Sequence, residues 1–410
     1  HVAPGADTTD KLLGAAFVVT DKHGTKPPRE SAPSDPLSRA ATLGITYTGA
    51  AGRIGFDAGS EPFAGDSFTW VASLTKLVTA TCLMQLVERG LVALDEDVRG
   101  RVPELARMQI LRGFDSHGAP LLEDNVLPIT LRQGSMLLTH TVGLGYDLAD
   151  PELAKWSAAV GRTEDSSHWT REGFATPLKF APGEGWCYGT AFDWAGLVLE
   201  SVTGQGLGRY MQAHIFDPLG MADTGFWPAA LPRTAHRTVA CSRRDTSSMA
   251  LGPASVPAPR EHDVESGGAG LYTTAADYAR FLHGLLGGAL VGAAATREMF
   301  TPQLDAAQRA MLELVCYHGG AHHVYAPEFP AGLALNHGIS GVMNTEDVPG
   351  KRRKGSLMWS GMCNSHWWID RETGVAAVLV VSVREHGDPV VVRLYDELER
   401  AVYARLVAAG

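Results

Sequence analysis

Ser73-Leu74-Thr75-Lys76 puts a hydroxyl and an amine three residues apart, between the apolar lead-in Trp70-Val71-Ala72 and a run from Leu77 to Val87. In that run Leu77, Val78, Leu83, Met84, Leu86 and Val87 recur at helical spacing, and Gly90 follows as a stop. Residues three apart on a helix share a face, so the Lys76 amine can take the Ser73 proton and leave an activated oxygen. Alone, the same four residues also describe a capping serine followed by a solvated lysine. The reading therefore depends on what else the chain carries.

Two segments add to it. Pro182-Gly183-Glu184-Gly185-Trp186-Cys187-Tyr188-Gly189 is a turn that delivers a phenol, Tyr188, just before an apolar helix over Ala191 to Val202. A phenol beside a cationic lysine is expected to be held closer to ionisation and to relay a proton between the serine oxygen and a leaving group. The stretch Lys354 to Met362, followed by His366 to Asp370 and Val375 to Val383, reads as strands, the first ending in the small pair Ser360-Gly361. Such a strand edge can aim a backbone N–H at a developing oxyanion, the function acyl transfer most needs.

The elements that must position these groups fall into two parts. Strands are expected over Ala15 to Thr20, Leu43 to Thr48, Gly355 to Trp359, His366 to Asp370 and Val375 to Val383, with a long helix from Asp388 to Leu406. They predict one antiparallel sheet made by 1–101 and 227–410. Between them, 102–226 reads as an inserted, mainly helical domain with helices at Leu131 to Leu138, Ala191 to Val202 and Leu207 to Ile215. A cleft between the two parts is the expected catalytic site. Asp21 to Leu37, rich in Pro, Ser and charge, is expected to be a surface excursion.

With Ser73-x-x-Lys76, Tyr188 and Trp359-Ser360-Gly361 in that order, the chain resembles the serine β-lactamase and penicillin-binding-protein superfamily, in its class C and family VIII carboxylesterase branch. Leu137 to Leu144, Pro218 to Thr224 and Gly267 to Thr274 extend the likeness over nearly the whole chain. Glu88 to Val92, Asp193-Trp194-Ala195-Gly196 and Arg352 to Leu357 look most like the fungal lovastatin (monacolin J) acyltransferases within that branch. The resemblance implies a β-lactamase/transpeptidase-like α/β plus all-α fold, an antiparallel sheet flanked by helices with a helical insertion. It also implies Ser73, Lys76 and Tyr188 as catalytic residues, the N–H groups of Ser73 and Met362 as oxyanion hole, and no cofactor.

Departures from the wider superfamily shift the expected substrate. Its lactamases and peptidases usually carry an Asn two residues after the Tyr and a Lys opening the late strand motif; here these are Thr190 and Trp359. Trp cannot pair with a carboxylate as Lys can, which disfavours β-lactams and peptide ends and favours esters or thioesters with apolar acyl groups. Trp359, Ser360, Gly361, Trp186, Tyr146 and Trp367 are the candidate substrate-binding residues. The expected activity is transfer of an acyl group from a thioester, on an acyl carrier protein or CoA, to a hydroxyl of a polyketide-like or terpenoid-like metabolite. A family VIII type carboxylesterase, or a sensor that keeps only acylation, is the alternative. No G-x-S-x-G occurs, which excludes the α/β-hydrolase elbow.

The 410 residues are 45% hydrophobic with a net charge of -10 and a pI near 5.8, the composition of a globular protein without the basic face that nucleic acid would require. No apolar run is long enough to cross a bilayer. The odd set Cys82, Cys187, Cys241, Cys316 and Cys363 lacks metal spacing and is expected to be free thiols in a reducing, cytoplasmic setting. His318, His322 and His323 have no carboxylate or Cys at zinc spacing, so no metal is expected, and His140 reads as structural. The basic run Lys351-Arg352-Arg353-Lys354 offers Arg352 and Arg353 as a dock for a phosphate or an acidic carrier domain.

Overall fold

A computed structural model describes residues 1–2, 7–22, 44–132, 137–318 and 321–409. Seven strands from the two ends of the chain make one antiparallel sheet: β1 (Gly14–Asp21), β2 (Ile45–Gly52), β3 (Leu335–Gly338), β4 (Gly341–Asn344), β5 (Leu357–Ser360), β6 (His366–Asp370) and β7 (Val375–Val380). Their order is β2-β1-β7-β6-β5-β4-β3. The interior strand β7, Val-Ala-Ala-Val-Leu-Val, is buried along its whole length, as a strand covered on both faces must be.

Successive side chains of a strand point to opposite faces, and the two faces carry different helices. On one, Thr20 meets His283 of α3 (Ala275–Leu286). On the other, Phe17 stacks on Trp368, whose ring meets Tyr395 of α4 (Pro389–Ala409). The helix α1 (Thr75–Glu88), which follows Ser73 and carries Lys76, is buried from Thr75 to Leu86 and packs against α2 (Ala191–Thr203). A helix enclosed on all sides can be apolar all round, which is why this one lacks a polar face.

Several boundaries differ from expectation. Val375 to Val383 is not one strand: β7 ends at Val380, and Val383–Arg384 pairs with Ser242–Arg244 in a separate small sheet. Within 102–226 the chain also forms a hairpin, Gln109–Phe114 with Pro120–Asp124. Leu207 to Ile215 is an α-helix only over Leu207–Met211 and continues as a π-helical turn. Of Leu131 to Leu138, residues 133–136 lie outside the described residues and Leu137–Thr139 is a 3₁₀ turn. Most of the Asp21 to Leu37 excursion also lies outside them.

Half of the basic run does not reach the surface its charge implied. Arg352 is fully buried against α4, its Nε 2.7 Å from Glu399 Oε1, with its guanidinium over the Phe329 and Trp368 rings. Lys351, also buried, reaches Asp396 at 2.6 Å and the Glu328 carbonyl at 2.8 Å. Arg353 and Lys354 face solvent, Arg353 pairing there with Asp347 at 2.8 Å. A guanidinium fully buried and paired with Glu399 inside the fold is out of reach of a partner.

Candidate active site

The serine is presented by a strained turn. Strand Phe68–Trp70 pairs with Tyr272–Thr274, and the Trp70 indole N–H reaches the Ala269 carbonyl at 2.6 Å. Ala72 then adopts φ +47°, the left-handed region, which costs a non-glycine residue about 1–2 kcal/mol. Thr75 offsets that strain: its hydroxyl donates to the Ala72 carbonyl at 2.6 Å and accepts the Leu271 N–H at 3.0 Å. Ser73 sits in the resulting 3₁₀ turn, Ala72–Leu74, and α1 begins at Thr75.

Three groups converge there. Lys76 Nζ lies 3.0 Å from Ser73 Oγ, and the Tyr188 hydroxyl donates to the same oxygen at 2.6 Å. Lys76 also donates to the Gly268 carbonyl at 2.8 Å and to the Tyr146 hydroxyl at 3.2 Å. A neutral amine has two N–H bonds and one lone pair; Gly268 and Tyr146 take the two donors, which leaves the lone pair for the Ser73 proton. Burial lowers the Lys76 pKa from 10.5 to about 7, with Asp193 pulling the other way, so much of the amine is free base at neutral pH.

Tyr188 behaves differently from the sequence expectation. Burial dominates and raises its pKa, outweighing the opposing influence of its hydrogen bonds with Ser73 and Trp359. The phenol therefore keeps its proton at neutral pH and can donate it. Trp359, expected only as an apolar wall, fixes that direction: its indole N–H donates to the Tyr188 oxygen at 3.1 Å, so the phenolic hydrogen is left to point at Ser73.

The end of β5 closes on the nucleophile at Gly361. A Cβ there would overlap the Val71 carbonyl oxygen and press on Leu74 Cδ1, so only glycine lets the strand edge lie against the Ser73 turn. The next residue, Met362, is half-exposed, and among the described residues neither its N–H nor that of Ser73 has a protein acceptor. Two such free N–H groups are what an oxyanion hole needs. Gly361→Ala is therefore expected to lower kcat about 10²- to 10³-fold, the usual effect of losing one oxyanion donor, while circular dichroism stays native. A near-wild-type rate would separate Gly361 from the site.

The other expected substrate contacts take different places. Trp367 opposes Trp359 across β5 and β6 and is fully buried, packed within the sheet rather than open to a cleft. Trp186, 1% exposed, stacks on the Tyr188 ring and backs it rather than lining a pocket. Ser360 turns to the α4 face, where its Oγ meets His386 Nε2 at 2.7 Å. Tyr146 is no apolar wall, since its hydroxyl is a ligand of the Lys76 amine. His140 is buried and burial holds it neutral; its carbonyl accepts the Cys187 N–H at 2.9 Å and so fixes the Tyr188 turn. His322 spends its ring on the Phe329 carbonyl at 2.9 Å.

Sequence reading missed two residues beside the triad. Tyr325 lies over Trp359 and edge-on to Tyr188, with ring centroids 6.0 and 5.8 Å away. Asp193 is buried behind Lys76 and accepts the Ser266 hydroxyl at 2.5 Å and the Gly268 N–H at 3.1 Å. An acid in the first turn of an otherwise apolar helix was the available signal for Asp193. Tyr325, on the short helix His322–Tyr325, had none.

Residues 41–401 match the family model described as Beta-lactamase. The chain is 36% identical to a lovastatin esterase of Penicillium rubens over 78% of its own length and 80% of the relative's. To the acyltransferase calJ of Penicillium decumbens it is 34% identical, over 97% and 95% of the two chains. Among solved structures, the LovD6 mutant of the simvastatin synthase of Aspergillus terreus superposes with a TM-score of 0.84 at 30% identity, covering 97% of this chain and 91% of that one.

Proposed function

The chain belongs to the beta-lactamase family, and from that premise we propose that it is a serine acyltransferase working through an acyl-Ser73 intermediate. The observation that carries the reading is the triangle Ser73, Lys76 and Tyr188, with Ser73 Oγ 3.0 Å from the amine and 2.6 Å from the phenol. Lys76 takes the Ser73 proton as Oγ attacks the acyl carbonyl, and the oxyanion sits on the N–H groups of Ser73 and Met362. Tyr188 gives its proton to the departing oxygen or sulfur and is reprotonated from Lys76. The acyl-Ser73 ester then passes to an alcohol by the same steps in reverse.

The donor is an acyl thioester, on CoA or on the acyl carrier protein of a polyketide synthase, and the acceptor a hydroxyl of a small secondary metabolite. Tyr188, Tyr325 and Trp359 cluster their rings beside the reacting groups, which suits apolar acyl chains and limits water. Arg352, being buried, takes no part in carrier recognition. Among the described residues no helix is long and apolar enough to cross a membrane.

A hydrolytic reading has its own support, because one of the relatives is named an esterase. Intact mass after incubation with butyryl-CoA, followed by addition of a hydroxylated polyketide, distinguishes the two. An adduct on Ser73 discharged by the alcohol is the expected result; discharge by water at the same rate with and without acceptor makes the enzyme an esterase, and no adduct at all defeats both.

The base assignment sets the pH profile. Lys76, with its pKa lowered to about 7, is protonated and inert below that pH and free to accept a proton above it. Acylation, read as kcat/KM on a p-nitrophenyl ester, is expected to fall about tenfold per unit on the acid side of about pH 7 and to level off above it. A flat profile from about pH 5 to 8 would remove Lys76 as the base.

A further inference from the structure

We infer that Asp193 is the positioning residue that sets the charge of the general base, through the turn that grips Lys76 and through its own negative charge. The inference rests on the reading of Lys76 as that base. Asp193 Oδ1 accepts both the Ser266 hydroxyl (2.5 Å) and the Gly268 N–H (3.1 Å), and the carbonyl of that same Gly268 accepts Lys76 Nζ at 2.8 Å. One residue, Gly268, thus links the acid to the amine through its two backbone groups.

The fit is close. A Cβ on Gly268 would stand 2.7 Å from Asp193 Oδ2, so glycine is what lets the turn approach the carboxylate. Asp193 is 1% exposed and its side chain emerges from α2, three residues after Thr190. Thr190 occupies the place where the wider family carries an Asn, and its Oγ1 has no partner among the described residues. The polar hold on the lysine comes from the Gly268 carbonyl and the Tyr146 hydroxyl instead.

The groups facing Lys76 from the packed elements are Tyr146 and His140 of the 137–146 segment, Tyr188 of the preceding turn, and Asp193 of α2; His337 of β3 stands behind His140. The phenols are neutral and His140 is held neutral by burial. Asp193 is the member of the set whose charge favours an ammonium, so it opposes the desolvation that frees the amine. A carboxylate in this place keeps the base from losing so much basicity that it could no longer pull the Ser73 proton.

The test compares kcat/KM against pH for the wild type, D193N and D193E, with p-nitrophenyl butyrate as probe. D193N keeps an acceptor for Ser266 and Gly268 but removes the charge, so its acid limb is expected about one unit lower, about a tenfold higher fraction of its plateau on the acid side. D193E is expected to return the limb toward the wild-type position. A limb unmoved in D193N, with only the plateau lowered, overturns the inference and leaves Lys76 as base untouched. A wild type with no limb refutes the base itself. Should D193N fold poorly, the reciprocal measurement uses K76M: the infrared carbonyl band of a buried protonated carboxyl should appear at higher pH in K76M than in the wild type, and appearance at the same pH in both overturns the inference.

Discussion

Ser73→Ala is expected to form no acyl adduct and to lose about 10⁴- to 10⁶-fold in turnover, as removal of a nucleophile does in other serine enzymes. The turn that holds position 73 is fixed by Thr75, Trp70 and the strand Tyr272–Thr274, none of which needs the hydroxyl. The variant should therefore fold as the wild type does. What it lacks is the one atom that both Lys76 and Tyr188 address, at 3.0 and 2.6 Å. Loss is thus confined to chemistry: intact mass shows no added acyl group, while substrate binding, read by calorimetry with a non-reactive ether analogue, stays within a few fold. Full activity in this variant would end the covalent proposal.

Lys76→Met should lower kcat about 10³- to 10⁴-fold, near the upper range for a general base, and Lys76→Arg should not restore it, because a guanidinium stays protonated. The pair separates base from charge: if Arg rescued, Lys76 would be acting by its positive charge alone. Stability carries a second signature. In the folded chain Lys76 loses its proton near pH 7, against 10.5 for an unburied lysine. Between those values the unfolded state binds one more proton than the native state, so the lysine's contribution to folding stability improves as pH rises through that window. Denaturant melts of wild type and K76M at about pH 7 and 9 should show the difference shifting in favour of the wild type at the higher pH. A constant difference would mean that Lys76 is not desolvated as the structure has it.

Much of the fold was readable because it depends on local pattern. β1, β6 and the helices α1, α2 and α4 lie within a few residues of their expected places, since each is marked by its own periodicity and by glycine or proline at its ends. The hairpin Gln109–Phe114 with Pro120–Asp124 was missed because its second strand is mostly solvent-facing and shows no buried alternation. The break after Val380 was missed for the opposite reason: Val381 and Val383 are as apolar and buried as the strand before them, and only the partner strand at Ser242–Arg244 tells them apart.

The site divides along the same line. The sequence by itself determined that Ser73 and Lys76 lie one turn apart, that a glycine-rich turn delivers Tyr188, and that a small-residue strand edge follows at Ser360-Gly361, because spacing within a helix and turn chemistry are properties of neighbouring residues. Only the tertiary structure decided the ionisation of Lys76, the retained proton of Tyr188, the donor role of Trp359, the places of Tyr146 and Asp193, and the burial of Arg352. Each of these is an interaction free energy with groups brought from far along the chain: Lys76 to Tyr146 across 70 residues and to Gly268 across 192, Tyr188 to Trp359 across 171, Arg352 to Glu399 across 47. Desolvation and charge pairing act through space, so a lysine written at position 76 is stripped of much of its charge, and an arginine written at 352 is a buried structural cation, only after the fold has set their surroundings.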